Sequence, residues 1–117
     1  MIMHELGIMT QIVRTVDEAL KNYRPCELQS FTLQIGEMTD VVPVFMENAW
    51  QVVKSSVGFE NAEMIIENVP AKARCESCGY TSDVRDFDFT CPECNGSNLK
   101  IISGKDIMIK EIQIKTL

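Results

Sequence analysis

Two pairs of cysteines constrain the fold of this chain more than any other feature of its sequence. The pairs are Cys75 with Cys78 and Cys91 with Cys94, each spaced Cys-x-x-Cys, and twelve residues separate them. Two intervening residues allow one tight turn to direct both sulfurs at the same ion, while backbone N–H groups stabilise the thiolate charge. The pattern therefore predicts one metal site with four sulfur ligands.

The ligand set favours zinc and a structural role. Gly79 and Asn95 follow the second cysteine of each pair, where such a turn often needs a positive φ that these residue types accept. Four thiolates suit zinc, although rubredoxin-like iron uses similar turns, including the Cys-Pro-x-Cys that begins at Cys91. Because four protein ligands leave no open coordination position, we expect the metal to hold the fold together.

Disulfide or redox pairs are the alternative use of these cysteines. The count of five is odd, and four of the five fall into the two paired motifs, which favours metal ligation. The cytoplasmic location that we expect for the chain also disfavours disulfides. Cys26 has no partner motif and is expected to be an inert thiol.

Size and charge exclude several classes of protein. A chain of 117 residues can form one compact unit, or a small core plus a metal-stapled module. Its net charge of −6 disfavours nucleic-acid binding, which usually needs a basic patch. No stretch approaches the roughly 18 apolar residues of a membrane span, and the N-terminus carries no export signal. We therefore expect a cytoplasmic protein that binds neither membranes nor nucleic acid.

Hydrophobic periodicity predicts two helices. Apolar residues three and four positions apart indicate a helix over about 5–23, which Pro25 ends. A second helix is expected over about 43–57, with Pro43 in its first turn, Thr39 or Asp40 as its cap and Gly58 as its C-terminal stop.

Three strands are predicted around these helices. Residues 31–35 alternate as a strand with one buried face, and 62–69 read as a more fully buried strand. In the strand at 107–115 the apolar phase changes near Lys110 and Glu111, which predicts a bulge. The element order predicts an α+β fold: a small three-stranded sheet with two helices (1–70 and 103–117) and an inserted zinc-ribbon-like module (71–102).

Catalytic chemistry is not indicated. His4 is the only histidine, and the sequence contains no nucleophile motif and no phosphate-binding glycine loop. Taken alone, His4 reads as a solvated side chain and Glu5 as a favourable charge at a helix N-terminus. We expect the chain not to be an enzyme.

Several motifs that follow one another along the chain indicate a function for His4. Met3-His4-Glu5 opens the first helix, Gln34-Ile35-Gly36-Glu37 ends the first strand, the two cysteine pairs follow, and Ser103-Gly104-Lys105-Asp106 precedes the last strand. This combination resembles the HypA/HybF family of hydrogenase maturation nickel chaperones over essentially the whole chain. Two departures are Asp106, where the family commonly has glutamate, and Met1 and Ile2, which precede the terminal motif.

The resemblance implies two metals and several partners. The four cysteines would hold structural zinc, while His4 and Glu5 would lie at a separate nickel site. From that site Ni(II) would be delivered to the hydrogenase large-subunit precursor. The accessory GTPase HypB is the implied partner, and in some bacteria the family also serves urease maturation.

The donors of that nickel site depend on where translation starts. Ni(II) in a square plane favours an amine, deprotonated amides and imidazole. If Met3 is the first residue, its amine, the His4 amide and the His4 imidazole can chelate together. If Met1 is first, the imidazole and the amides of Ile2, Met3 and His4 can supply four nitrogens. A six-coordinate form would add the Glu5 carboxylate.

Two acidic residues after the first strand are secondary candidates for the nickel site. Asp40 and Glu37 could supply a further oxygen ligand, although helix capping by Asp40 and simple solvation of Glu37 are favoured.

Two other functions also fit the cysteine motifs. They are a zinc-ribbon nucleic-acid or transcription module, which the charge disfavours, and an electron-transfer protein with rubredoxin-like iron.

Overall fold

The computed structural model describes residues 2–84 and 90–117. Met1, one of the two possible first residues, and residues 85–89 of the predicted module lie outside the described residues. The chain divides into two compact units. The first, called the helical unit, comprises Met1–Gln34, Val41–Glu67 and Met108–Leu117. The second, called the cysteine unit, comprises Ile35–Asp40 and Asn68–Ile107.

Helix α1 spans Ile2–Leu20 and continues as a 3₁₀ turn, Lys21–Tyr23. It begins about three residues earlier than predicted, so the Met-His-Glu motif lies inside the helix. The predicted apolar face is buried at Met9, Val13, Val16 and Leu20. Tyr23, at the end of the predicted helix, is 60% exposed. A 3₁₀ turn has three residues per turn, which moves this side chain away from the apolar stripe.

Helix α2 spans Pro43–Val53 and continues as a 3₁₀ turn to Val57. Gly58, the predicted C-terminal stop, follows with a positive φ (79°). The predicted cap is wrong, because the N-cap is Val42 and no side chain caps the helix. Asp40 instead has a left-handed backbone (φ 61°), two residues before the N-cap. Within the helical unit α2 packs against α1 and buries Met46, Ala49 and Trp50.

The described residues contain six strands in two sheets. They are β1 Cys26–Gly36, β2 Glu63–Val69, β3 Lys72–Cys75, β4 Thr81–Asp83, β5 Leu99–Ser103 and β6 Ile107–Thr116. The first sheet has the order β2-β1-β6, and the second has the order β4-β3-β5. The three predicted strands correspond to the first sheet, whereas the second sheet was not predicted.

The first sheet departs from the predicted burial at two strands. On β1 the polar positions Ser30 and Thr32 are buried as well as the apolar ones, because β1 is the central strand and has a neighbour on each side. On β2 no residue is fully buried and Ile65 is exposed, because β2 is an edge strand. On β6 the alternation of burial breaks at Lys110 and Glu111, where the phase change was predicted.

The second sheet is antiparallel and has a small core of its own. Strand β3 pairs with β4 on one side and β5 on the other. Its core consists of Ala73, Cys75 and Cys91, with Val84, Leu99 and Ile101 packed against it. Two of the predicted metal ligands therefore form part of the core.

Two glycines explain motifs that flank the cysteine module. The Gly36 N–H donates to the Asp106 carbonyl (3.0 Å), and the Met38 N–H donates to the Gly104 carbonyl (2.8 Å). A Cβ on Gly36 would overlap the Gly104 carbonyl. Gly104 has a φ of +81°, and a Cβ there would lie 2.5 Å from the Ala71 Cα. These backbone segments approach closely only because both positions lack a side chain.

Among the residues that the structure describes, no helix is long and apolar enough to cross a membrane.

Candidate metal centres

The two cysteine pairs have the same backbone geometry. In each turn the N–H of the first cysteine donates to the carbonyl five residues later, and the N–H four residues later donates back to the first cysteine's carbonyl. The bonds are Cys75 N to Tyr80 O (2.9 Å), Gly79 N to Cys75 O (2.8 Å), Cys91 N to Gly96 O (2.7 Å) and Asn95 N to Cys91 O (2.9 Å). Gly79 (φ 81°) and Asn95 (φ 60°) have the positive φ that their positions predicted.

The structure brings the four predicted cysteines together. Their Sγ atoms all lie within 4.8 Å of one another. Cys75 Sγ is 3.6 Å from Cys94 Sγ, and Cys78 Sγ is 3.6 Å from Cys91 Sγ. A tetrahedral ion with Zn–S bonds of about 2.3 Å needs sulfurs about 3.8 Å apart. The spacing therefore fits a tetrahedral S₄ site.

Backbone N–H groups stabilise the thiolate of the first cysteine, Cys75, which is fully buried. The N–H of Cys78, followed by that of Ser77, donates to the Cys75 sulfur and lowers the pKa of Cys75 to about 7 despite its burial. At Cys78 the Tyr80 N–H favours the thiolate, but desolvation and the neighbouring sulfurs outweigh it and raise the pKa of Cys78 to about 12. Four thiols this close resist losing their protons together, which a divalent cation would reverse.

Gly96 supports the second turn in a way that the spacing of the cysteines does not reveal. Its N–H favours the Cys94 thiolate, although the neighbouring Cys75 thiol leaves the pKa of Cys94 raised. A Cβ on Gly96 would lie 3.2 Å from the Cys94 sulfur and 3.9 Å from the Cys75 sulfur. Glycine at this position therefore leaves room beside the sulfurs.

Cys26 does not join this group. It begins β1, is half-buried and forms no disulfide. Within residues 2–84 and 90–117 the four other cysteines are the only group of three or more potential metal-ligating side chains that lie close together.

The N-terminal motif lies in the first turn of α1. His4 is exposed, and the helix begins at Ile2. The first four N–H groups of an α-helix have no acceptor within the helix. The N–H groups of Ile2, Met3 and His4 therefore do not donate hydrogen bonds to carbonyls of α1.

Glu5 has a different environment from its neighbour His4. Its side chain is only 1% exposed, and its Oε2 atom accepts a hydrogen bond of 3.4 Å from the N–H of Val42, the N-cap of α2. A carboxylate is stabilised at a helix N-terminus by the local positive potential. Glu5 thus connects the first turn of α1 to the start of α2, a contact that the sequence alone did not predict.

The two secondary candidates for the nickel site, Asp40 and Glu37, also differ in their contacts. Asp40 is exposed and does not cap α2. The Glu37 Oε1 atom accepts a hydrogen bond of 2.8 Å from the Ala71 N–H, so the expected role of simple turn solvation is wrong. Glu37 instead links two backbone segments of the cysteine unit.

Comparison with known proteins places the chain in one family. Residues 3–114 match the family model described as hydrogenase/urease nickel incorporation, metallochaperone, hypA. The hydrogenase maturation factor HypA of Methanocella arvoryzae is 36% identical over 114 residues, covering 97% of this chain and 99% of the relative. That of Geobacter metallireducens is 29% identical over 113 residues, covering 97% and 100%.

Solved structures show the same fold. The solution structure of the nickel metallochaperone HypA from Helicobacter pylori aligns with a TM-score of 0.70 at 15% identity, covering 97% of this chain and 98% of that one. A second HypA solution structure aligns with a TM-score of 0.73 at 17% identity, covering 98% and 97%. The family is described as metallochaperones and not as enzymes, in agreement with the sequence-based expectation. The chain belongs to the HypA family of nickel-incorporation metallochaperones.

Proposed function

We propose that this protein carries Ni(II) for the maturation of [NiFe]-hydrogenase and that zinc in the four-cysteine site holds part of its fold. The family match supports the transport role. Separate roles for the two metals are supported by the contrast between the compact S₄ cluster and the exposed His4 at the start of α1. A closed site retains its metal, whereas a site at a solvent-exposed terminus can release it.

The nickel ligands that we propose are the His4 imidazole and backbone nitrogens of the first turn. Successive N–H groups of an α-helix point along its axis, so they do not converge on one ion. A planar chelate of adjacent amides therefore requires the first turn of α1 to unwind. The Met3 nitrogen contributes as an amine if Met3 is the first residue, and as an amide otherwise.

Oxygen ligands would belong to a second, six-coordinate form. Glu5 can join it only after its carboxylate leaves the Val42 N–H, because the side chain is buried in that contact. Asp40 is the further candidate, since it is exposed and does not cap α2. We therefore propose a nitrogen-rich plane as the main site and carboxylates as exchangeable ligands.

Titration of the zinc-loaded protein with Ni(II) tests this assignment. The N-terminal residue is first established by mass spectrometry. Binding should produce the absorption band of diamagnetic Ni(II), and the amide signals of the ligating residues should vanish from the ¹H–¹⁵N NMR spectrum because those amides lose their protons. His4→Ala should abolish the band and weaken binding by about tenfold or more, as expected for the loss of a principal ligand.

Gln11→Ala is the matched control for His4→Ala. Gln11 is exposed on the same helix and lies outside the terminal motif. Its replacement should leave the affinity and the absorption band unchanged. An unchanged band in His4→Ala would contradict the proposed site.

Zinc occupancy of the cysteine site has its own test. Metal analysis of the purified protein should give one zinc per chain and no visible absorption, whereas rubredoxin-like iron would give a red protein. Cys91→Ala should release the zinc, because a buried sulfur of the cluster is lost. Retention of stoichiometric zinc by that variant would contradict the four-thiolate site.

The partners that we propose are HypB and the hydrogenase large-subunit precursor, with urease maturation proteins as a further recipient system, all in the cytoplasm. A maturation assay in a strain that lacks the native protein tests this role. His4→Ala should fail to restore hydrogenase activity while keeping its zinc. Full restoration by His4→Ala would contradict delivery from the N-terminal site.

A further inference from the structure

One face of the β4-β3-β5 sheet is basic in a chain whose net charge is −6. The exposed residues Lys72 and Arg74 on β3 alternate with the buried Ala73 and Cys75. Lys100 on β5 and Thr81 on β4 are also exposed. We call the surface formed by Lys72, Arg74, Thr81, Lys100 and Ile102 the basic face.

The strand register sets two cations directly opposite each other. Arg74 pairs with Lys100 across β3 and β5, and with Thr81 across β3 and β4. Side chains of directly opposite residues lie about 5 Å apart at Cβ, and like charges in such a pair are destabilising. The sheet therefore maintains an unfavourable pairing that a neutral residue at either position would remove.

Among the residues that the structure describes, no carboxylate of the cysteine unit compensates this pair. Lys72 forms an ion pair with Asp83 (Nζ to Oδ1, 3.4 Å). Across the part of the chain that the structure describes, neither Arg74 nor Lys100 forms an ion pair. Both cations are thus available to an anion from outside the chain.

An exposed apolar residue, Ile102, follows Lys100 by two positions on the same strand. Lys72 pairs with Ser103 and Ala73 with Ile101, so Ile102 is an extra residue in β5. Such a bulge changes the direction of a side chain, and Ile102 is 42% exposed. The basic face therefore combines two uncompensated cations with one exposed aliphatic group.

We propose that the basic face binds an acidic segment of a partner protein that carries an apolar residue between carboxylates. The Arg74 guanidinium can bind a carboxylate with two parallel hydrogen bonds, and Lys100 adds a second positive charge. An aliphatic side chain of the segment would contact Ile102. Nucleic acid fits less well, because two cations neutralise few phosphates and the net charge of −6 repels the rest. None of the residues of the basic face is a proposed nickel ligand.

The test is an NMR titration of the zinc-loaded full-length chain, without nickel, at low salt. The probe is the peptide acetyl-Gly-Glu-Leu-Glu-Gly-amide, compared with the same peptide carrying glutamine for glutamate. The acidic peptide should give saturable shifts at Arg74, Lys100 and Ile102, and the neutral peptide should not. The double variant Arg74→Glu with Lys100→Glu should weaken binding by about tenfold or more, as expected for charge-assisted hydrogen bonds.

Arg14→Glu together with Lys115→Glu is the control for the change of net charge. Both residues are exposed and belong to the helical unit, outside the basic face. This control should change the affinity by less than about twofold, the size of a screened surface effect. Equal weakening in the control, or shifts that do not saturate, would overturn the proposal. Tighter binding of a thymidine oligonucleotide to the same residues would also overturn it, in favour of nucleic acid.

A stability measurement separates the loss of binding from the loss of folding. Lys100→Glu places opposite charges across β3 and β5, so the zinc-loaded variant should keep its metal and unfold at a higher temperature. The same variant should bind the acidic peptide more weakly. A lower unfolding temperature would show that the Arg74–Lys100 pair is not unfavourable, which contradicts the argument for an external anion.

Discussion

At the scale of single residues, several backbone positions depend on the absence of a side chain or on a tolerated positive φ. Gly79 and Asn95 could be predicted, because the spacing of the cysteines fixes the turn in which they lie. The role of Gly36 could not be predicted, since it depends on a close approach to Gly104, far away in the sequence. The conformation of a turn can be predicted from residues that are adjacent in the sequence, whereas packing between distant segments cannot.

Gly36→Ala should destabilise the zinc-loaded protein. The new methyl group would overlap the Gly104 carbonyl, and relieving such overpacking typically costs about 1–3 kcal/mol. Urea denaturation measures the change in the free energy of unfolding. Gly7→Ala is the control, because no neighbouring atom lies within 4 Å of a Cβ there and alanine favours an α-helix by about 0.5–1 kcal/mol. Equal stability of the two variants would argue against the close approach.

At the scale of the elements, a polar network crosses the first sheet. The Gln34 amide on β1 donates to the Glu67 carboxylate on β2 (3.2 Å), and the Lys110 ammonium on β6 donates to both Glu67 oxygens (3.2 Å each). These hydrogen bonds, that from Gln34 first, lower the pKa of Glu67 from its ordinary value. The ionised carboxylate is therefore the form that the folded sheet favours.

Glu67→Gln should lower the thermal unfolding temperature at neutral pH and have less effect in acid. A carboxyl group with a lowered pKa in the folded state stabilises that state above its ordinary pKa, and the contribution disappears as the pH falls through the lowered value. The effect should be small, because the pair is partly exposed. The fluorescence of Trp50 follows unfolding of the helical unit, at neutral pH and then at successively lower pH until the difference between the variants no longer changes.

Glu63→Gln provides the matched control on the same strand. Glu63 is exposed at the start of β2, and its replacement makes the same change in charge. It should shift the unfolding temperature less than Glu67→Gln at neutral pH. A pH-independent effect of Glu67→Gln would show that the ionised carboxylate does not contribute.

The elements differ in how well the sequence predicts them. The two helices and β6 have long periodic patterns, and their existence was predicted with end positions that differ by a few residues. The short strands β3 and β4 have three or four residues each, too few to show a period. Their pairing depends on the turns around the metal site. The burial of β2 was mispredicted because sequence does not show which strand lies at an edge.

At the scale of the whole molecule, the chain forms two compact units with different sources of stability. The helical unit has a core that includes Phe31 and Trp50, whose rings meet edge to face at 5.2 Å between centroids. The cysteine unit has a small core in which two metal ligands take part. Structural zinc contributes about 10–16 kcal/mol of coupled folding free energy in small peptides, which is large beside such a core.

Removal of zinc should therefore unfold the cysteine unit selectively. Under a strong chelator, NMR signals of β3 to β5 should collapse to the positions of an unfolded chain. The emission of Trp50, the only tryptophan, should stay unchanged because this residue lies in the helical unit. A red shift of that emission on chelation would show instead that both units unfold together.

The placement of the cysteine module between β2 and β6 also affects how the protein folds during synthesis. The ribosome makes β1 and β2 before residues 70–106, and β6 only after them. One edge of β1 therefore has no partner strand until the intervening residues have been made. Zinc that binds during this interval closes the long loop before β6 and reduces the entropy lost when β6 pairs. Cellular zinc supply would then influence how fast newly made nickel carriers mature.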